Sequence, residues 1–162
     1  MLKQGLAFLI LCAGASAAPA QHGAMIHARS VEAFGAALAS MGYAPGAPET
    51  VQGVPVLRVD IGGQPTAIAF GGCNTGRDCS YVVLTTSYTD VEPQPDWLGR
   101  MNDNYDLVKL TRNEQGTLSI RSGIALGSDG IPVTTFRMIL DQWQAALGEV
   151  AQAAIDERLV RP

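Results

Sequence analysis

The stretch Gly62 to Tyr88, read GGQPTAIAFGGCNTGRDCSYVVLTTSY, constrains this chain more than any other. Thr66, Ile68 and Phe70 alternate with Ala67 and Ala69, the period-two pattern of a strand with one apolar side. Tyr81 to Tyr88 is dense in β-branched and aromatic residues, which suit a pleated surface. The intervening Gly71 to Cys79 is rich in glycine and carries Asn74, residues that supply the backbone angles of a tight reversal. Two strands and a polar loop, with a cysteine at each end of the loop, predict the centre of an antiparallel sheet.

A disulfide between Cys73 and Cys79 is the expected state of that loop, and it fixes strand register more than it holds the fold together. A short closed loop gives roughly 2 kcal/mol in the chain-entropy description. The competing readings are unpaired thiols and a metal site. Two cysteines without a neighbouring histidine make half a zinc site at best, so no metal site is assigned.

The beginning of the chain sets the expected compartment. Met1 to Ala20 carries Lys3, then the apolar run Leu6 to Ala13, then small residues. This is the pattern of an export leader, with cleavage expected after Ala20 and Ala17 as the rival position. The apolar run is too short to span a bilayer by itself. Leu11 is too bulky to precede a lipid-modified Cys12. Cleavage removes Cys12 and leaves an even pair of cysteines in an oxidising compartment, consistent with the disulfide. The protein is therefore expected to be periplasmic or secreted, with residues 21–162 as one domain whose core spans about 28–155, and with no membrane insertion after processing.

Eleven basic and fifteen acidic residues give a net charge of −4, and loss of Lys3 makes it −5. An acidic chain with scattered arginines lacks the basic footprint of a nucleic-acid partner. Its two histidines, His22 and His27, both precede the folded region, so a Ser-His-Asp or Cys-His arrangement has no base to use there. The glycines from Gly71 to Gly76 lack the Lys-Ser/Thr ending of a phosphate loop and lead into a strand. No catalytic residue and no cofactor is assigned. The enzymatic alternative is a hydrolase with paired carboxylates drawn from Asp60, Asp90, Asp96, Asp103, Asp106 and Asp129, against the reading of these acids as turn and cap residues.

The remaining elements follow from periodicity. Gln21 to Arg29 is a frayed or helical lead-in. Ser30 caps a helix carrying Val31, Phe34, Leu38 and Met41 on one face, closed at Gly42. Gly42 to Pro55 is a Pro/Gly-rich link, and Val54 to Ile61 is a strand. Asp96 to Asn104 is a short helix with Trp97, Leu98 and Met101 toward the sheet. Strands follow at Asp106 to Arg112 and Thr117 to Leu126, the second with Thr117, Ser119 and Arg121 facing water. Pro132 starts a closing helix whose Val133, Phe136, Leu140, Trp143, Leu147 and Val150 form a sustained stripe, and the charged tail beyond Asp156 frays. The fold class is α+β: a mainly antiparallel five-stranded sheet in the order α-β-β-β-α-β-β-α, with helices on one face.

Gly72-Cys73-Asn74, Cys79-Ser80, the helix exit at Gly42-Tyr43, and Trp143 followed by Leu147-Gly148-Glu149 resemble the YbjN-domain family of bacterial proteins. Trp97 is followed by Leu98 where that family often has asparagine. The resemblance implies an α/β sandwich similar to type III secretion chaperones, which are small, acidic, protein-binding and usually dimeric. It also implies a sensory-transduction regulator with no established catalytic residues. The expected function is thus an exported, non-enzymatic, chaperone-like or regulatory binding protein of the envelope, with an unidentified protein partner. Phe136, Leu140, Trp143 and Leu147 are the candidate partner-binding helix face, and a homodimer through that helix is one form it could take. A small-ligand sensor, with its ligand between helix and sheet, is the other non-enzymatic alternative.

Overall fold

The computed structural model describes residues 23–161. The leader, with Ala17, Ala20 and Cys12, and also His22, lies outside the described residues. Eleven elements follow in order: β1 (Met25–Ile26), α1 (Val31–Ser40), β2 (Glu49–Val51), β3 (Val54–Ile61), β4 (Gln64–Gly71), β5 (Tyr81–Tyr88), α2 (Pro95–Asn104), β6 (Lys109–Arg112), β7 (Leu118–Ala125), β8 (Ile131–Pro132) and α3 (Val133–Asp156).

The main sheet has six strands rather than five, in the order β2-β3-β4-β5-β7-β6, and every pairing in it is antiparallel. The added strand is β2, inside the stretch expected to be a link. Gln52 and Gly53 both take positive φ and reverse the chain so that Val51 pairs with Val54. β1 and β8 make a separate two-stranded ribbon. The lead-in is therefore a strand and not a frayed end, because Ile26 and Ala28 are buried. The tail is likewise held: Leu159 N–H donates to the Ala154 carbonyl, Glu92 N–H to the Leu159 carbonyl, and Arg161 pairs with Glu92 at 2.6 Å.

One face of the sheet carries Leu57, Val59 and Ile61, then Thr66, Ile68 and Phe70, then Val82, Leu84 and Thr86, then Leu118, Ile120 and Ile124. All are buried. Phe34 and Leu38 of α1, Trp97 and Met101 of α2, and the stripe of α3 join the apolar members of that face in one core. α1 forms where expected and for the expected reasons, whereas α2 starts one residue early at Pro95, and Pro132 is the N-cap of α3, paired in β8, and not part of its first turn. The Ser30 hydroxyl accepts the Ala33 N–H at 3.0 Å, and Gly42, at φ 96°, closes α1 in the left-handed region. Ser119 and Thr117 are buried, contrary to the alternation reading. β7 is an inner strand, so Ser119 lies between Ser87 and Thr111, and Thr117 is tied to the Asn113 side chain.

The β4–β5 loop is closed by a disulfide between Cys73 and Cys79. At its tip Asn74 and Arg77 exchange both main-chain hydrogen bonds around Thr75 and Gly76, each at positive φ, as a two-residue hairpin turn requires. The loop also holds the lead-in: Asp78 and Cys79 N–H groups donate to the Arg29 and Ala28 carbonyls at 3.0 Å. Register is thereby pinned at the end of the sheet where the lead-in joins it.

Candidate functional site

A concavity lies beside α3, between that helix and the β7–β6 margin of the sheet. β6 starts at Lys109 and not at Asp106, because Tyr105 to Val108 peels away from β7 as a lip. The Ser122 hydroxyl anchors this lip by donating to the Leu107 carbonyl at 2.8 Å. The edge of β6 beyond it is covered. Asn102 of α2 accepts the Leu110 N–H at 2.8 Å and donates to the Leu110 carbonyl at 3.0 Å, filling the place of a further strand.

The resulting cleft has a volume of about 650 Å3. Its walls include Leu107, Val108, Ile124, Ile131, Ile139 and Ala145, with Trp143 and Ala146 in its floor. Leu107 is 65% exposed at the lip. The charged residues lining the cleft are Asp106 and Glu149. The Tyr105 hydroxyl donates to Glu149 Oε2 at 2.8 Å across the mouth, joining lip to helix.

Burial pushes the Tyr105 phenol up to about 12, helped by its hydrogen bond to Glu149 and by that carboxylate's charge. The folded protein thus keeps a proton that the unfolded chain releases near the ordinary phenol value of 10. The associated stability is complete below that value and is lost as pH rises from it toward about 12. We expect phenolate absorbance of the folded protein to show a late step that disappears in Tyr105→Phe and moves to lower pH in Glu149→Gln. A Tyr105 step coincident with ordinary phenols would mean that the clasp is not formed in solution.

The residues picked from sequence fall differently. Phe136, Leu140, Trp143 and Leu147 are each no more than 2% exposed. They belong to the core, and of the four Trp143 also lines the cleft. The accessible side of α3 next to them carries Ile139, Gln142, Ala145 and Glu149, which the stripe passes over. Among the six candidate aspartates, Asp106 lines the cleft. Asp60 accepts the Gly63 N–H at 2.7 Å in a turn, Asp129 accepts from the Ser128 hydroxyl at 3.2 Å, and Asp96 lies in the first turn of α2. Among the described residues, no three of His, Cys, Asp and Glu come together as a metal-binding group, and no helix is long and apolar enough to cross a membrane. Sequence reasoning missed Leu107, Ile139 and Glu149 as a set; the signal available was an isoleucine one position ahead of the stripe at Leu140.

Three helices on one side of an antiparallel sheet, with a largely apolar cleft along the closing helix, make an α+β domain. Residues 30–155 match the family model YbjN, described as "Putative bacterial sensory transduction regulator". The chain belongs to the YbjN family. It is similar in fold to the crystal structure of YbjN from E. coli, "a putative transcription regulator", with a TM-score of 0.64 and 14% identity over 86% of this chain and 99% of that one. A search among curated proteins finds no match.

Proposed function

We propose that this protein is an exported, non-enzymatic regulatory module of the bacterial envelope, acting by binding a partner protein, and that the cleft beside α3 receives an apolar segment of that partner. The observation that carries the reading is the cleft itself: an apolar surface, open at one side, with Leu107 exposed at its lip. A concave, mostly apolar lining is the character of a site that takes up an apolar group. The family description supports a regulatory role. Export is supported by the leader-like start and by the disulfide, which persists in an oxidising compartment.

The cleft volume favours one second reading. About 650 Å3 also falls within the range of small-molecule sites, so an apolar small ligand could be the signal sensed. The test uses Ala145→Trp, which fills the cleft from an exposed helix position, together with photo-crosslinking from position 107 in the envelope. Intact mass of the exported protein should show loss of the leader and two missing hydrogens. Crosslinks from position 107 to another protein should vanish in Ala145→Trp. A retained leader or two alkylatable thiols would sink export. Crosslinks indifferent to the filled cleft would sink the site, and an extracted apolar small molecule would favour the second reading.

A further inference from the structure

The cleft is apolar inside and acidic at its mouth. Asp106 stands on the lip and Glu149 on α3, and no lysine or arginine lines the cleft. Neither carboxylate is neutralised: the ion pairs of the described residues are Arg58–Glu49, Arg100–Glu157 and Arg161–Glu92, all elsewhere. Glu149 receives one hydrogen bond, from the neutral Tyr105 phenol, which leaves its Oε1 free.

The nearest cations in sequence are turned away. Lys109 follows the lining residue Val108, and Arg121 precedes the lining residue Ser122. Successive side chains of a strand point to opposite faces, so both belong to the face of the sheet opposite the helices. The register confirms it, since Lys109 pairs with Arg121 and Arg121 with Thr85. Arg58 stands in the same row, across Ala67. The margin of the sheet therefore has an acidic, concave, apolar side and a basic, open side.

We propose that the segment received by the cleft is a cationic amphipathic peptide segment: its apolar side chains meet Leu107, Ile139 and Ala145, while its Lys or Arg side chains meet Asp106 and Glu149. This rests on the reading of the cleft as the partner site and adds the chemistry of the partner. Charge at such a rim acts on partner choice and on association more than on total affinity. An apolar floor alone accepts any greasy segment, and the two acids discriminate among them.

The test is titration of the folded, processed protein with three short synthetic peptides that share one leucine-rich face and differ in the other, built from lysine, glutamine or glutamate. The expected order is lysine over glutamine over glutamate. Lysine should lead glutamine by about tenfold at low salt, the scale of two partly exposed ion pairs, and the lead should shrink as salt is raised. In Asp106→Asn with Glu149→Gln, the lysine-to-glutamine ratio should fall toward one. Equal binding of the lysine and glutamine peptides, each lost in Ala145→Trp, would overturn the cationic partner while leaving the cleft as a site. Binding unaffected by Ala145→Trp would overturn the site reading itself. A concentration-dependent dimer in sedimentation that Ala145→Trp abolishes would assign the cleft to a second copy and overturn the proposal.

Discussion

Replacing Phe34 with alanine is expected to lower the unfolding free energy by about 3–5 kcal/mol, the range for deleting a buried phenylalanine ring. Phe34 is fully buried, and its ring meets Phe70 of β4 at 5.2 Å and Phe136 of α3 at 5.4 Å, both edge to face. One side chain of α1 thus joins a central strand to the closing helix. Aromatic pairs in this geometry contribute about 0.5–1.5 kcal/mol each beyond their burial. Leucine at this position keeps most of the volume but neither ring contact, and should cost about 1–2 kcal/mol. Urea unfolding with an unchanged slope measures both. A loss below about 1 kcal/mol for the alanine variant would mean that α1 does not dock where the rings place it. Against a total of about 5–15 kcal/mol for a domain of ordinary stability, the alanine variant stands near the limit of folding at growth temperature.

Phe34 was legible from sequence because it lies on a strong helical period between two unambiguous stops, Ser30 and Gly42. The same holds for β3, β4, β5, β7 and α3, whose patterns run long enough for periodicity to speak. The parts that stayed hidden are those made by partners far apart in sequence. β1 and β8 are two residues each, and nothing local marks them as strands; they exist because Met25 and Ile26 meet Pro132 and Ile131. β2 sits among prolines and glycines and becomes a strand through the reversal at Gln52-Gly53. The tail reads as charged and loose, yet its main chain bonds to Asp90 and Glu92. The cleft had the weakest signature. Leu107, Ile139 and Ala145 are ordinary residues on three different stretches, and only the departure of Tyr105 to Val108 from β7 brings them to one surface. The α3 stripe shows the limit most clearly. Its spacing announces burial, but spacing does not say whether the covering surface is the chain's own sheet or another molecule.

Trp143 separates those two meanings experimentally. If it were a partner-binding residue on an exposed helix face, alanine there would leave stability within about 0.5 kcal/mol and would abolish binding alone. The structure demands the opposite weighting. Trp143 is 2% exposed, and its indole N–H donates to Thr66 Oγ1 at 3.2 Å, which in turn shares a hydrogen bond with Thr86 Oγ1 at 3.0 Å. The two threonines are buried polar groups on adjacent central strands, and the indole helps satisfy them from the helix side. Trp143→Ala is therefore expected to cost about 3–5 kcal/mol, from the vacated volume together with the lost hydrogen bond. Trp143→Phe retains an aromatic filler but not the donor, so it should cost less, about 1–2 kcal/mol. Because Trp143 also floors the cleft, the phenylalanine variant should remain folded and still bind the leucine-rich peptides, with altered affinity. Denaturant unfolding and peptide titration on the same samples give both readouts. A Trp143→Ala protein as stable as the parent would show that α3 does not pack on this sheet through its tryptophan, and the cleft built between them would go with it.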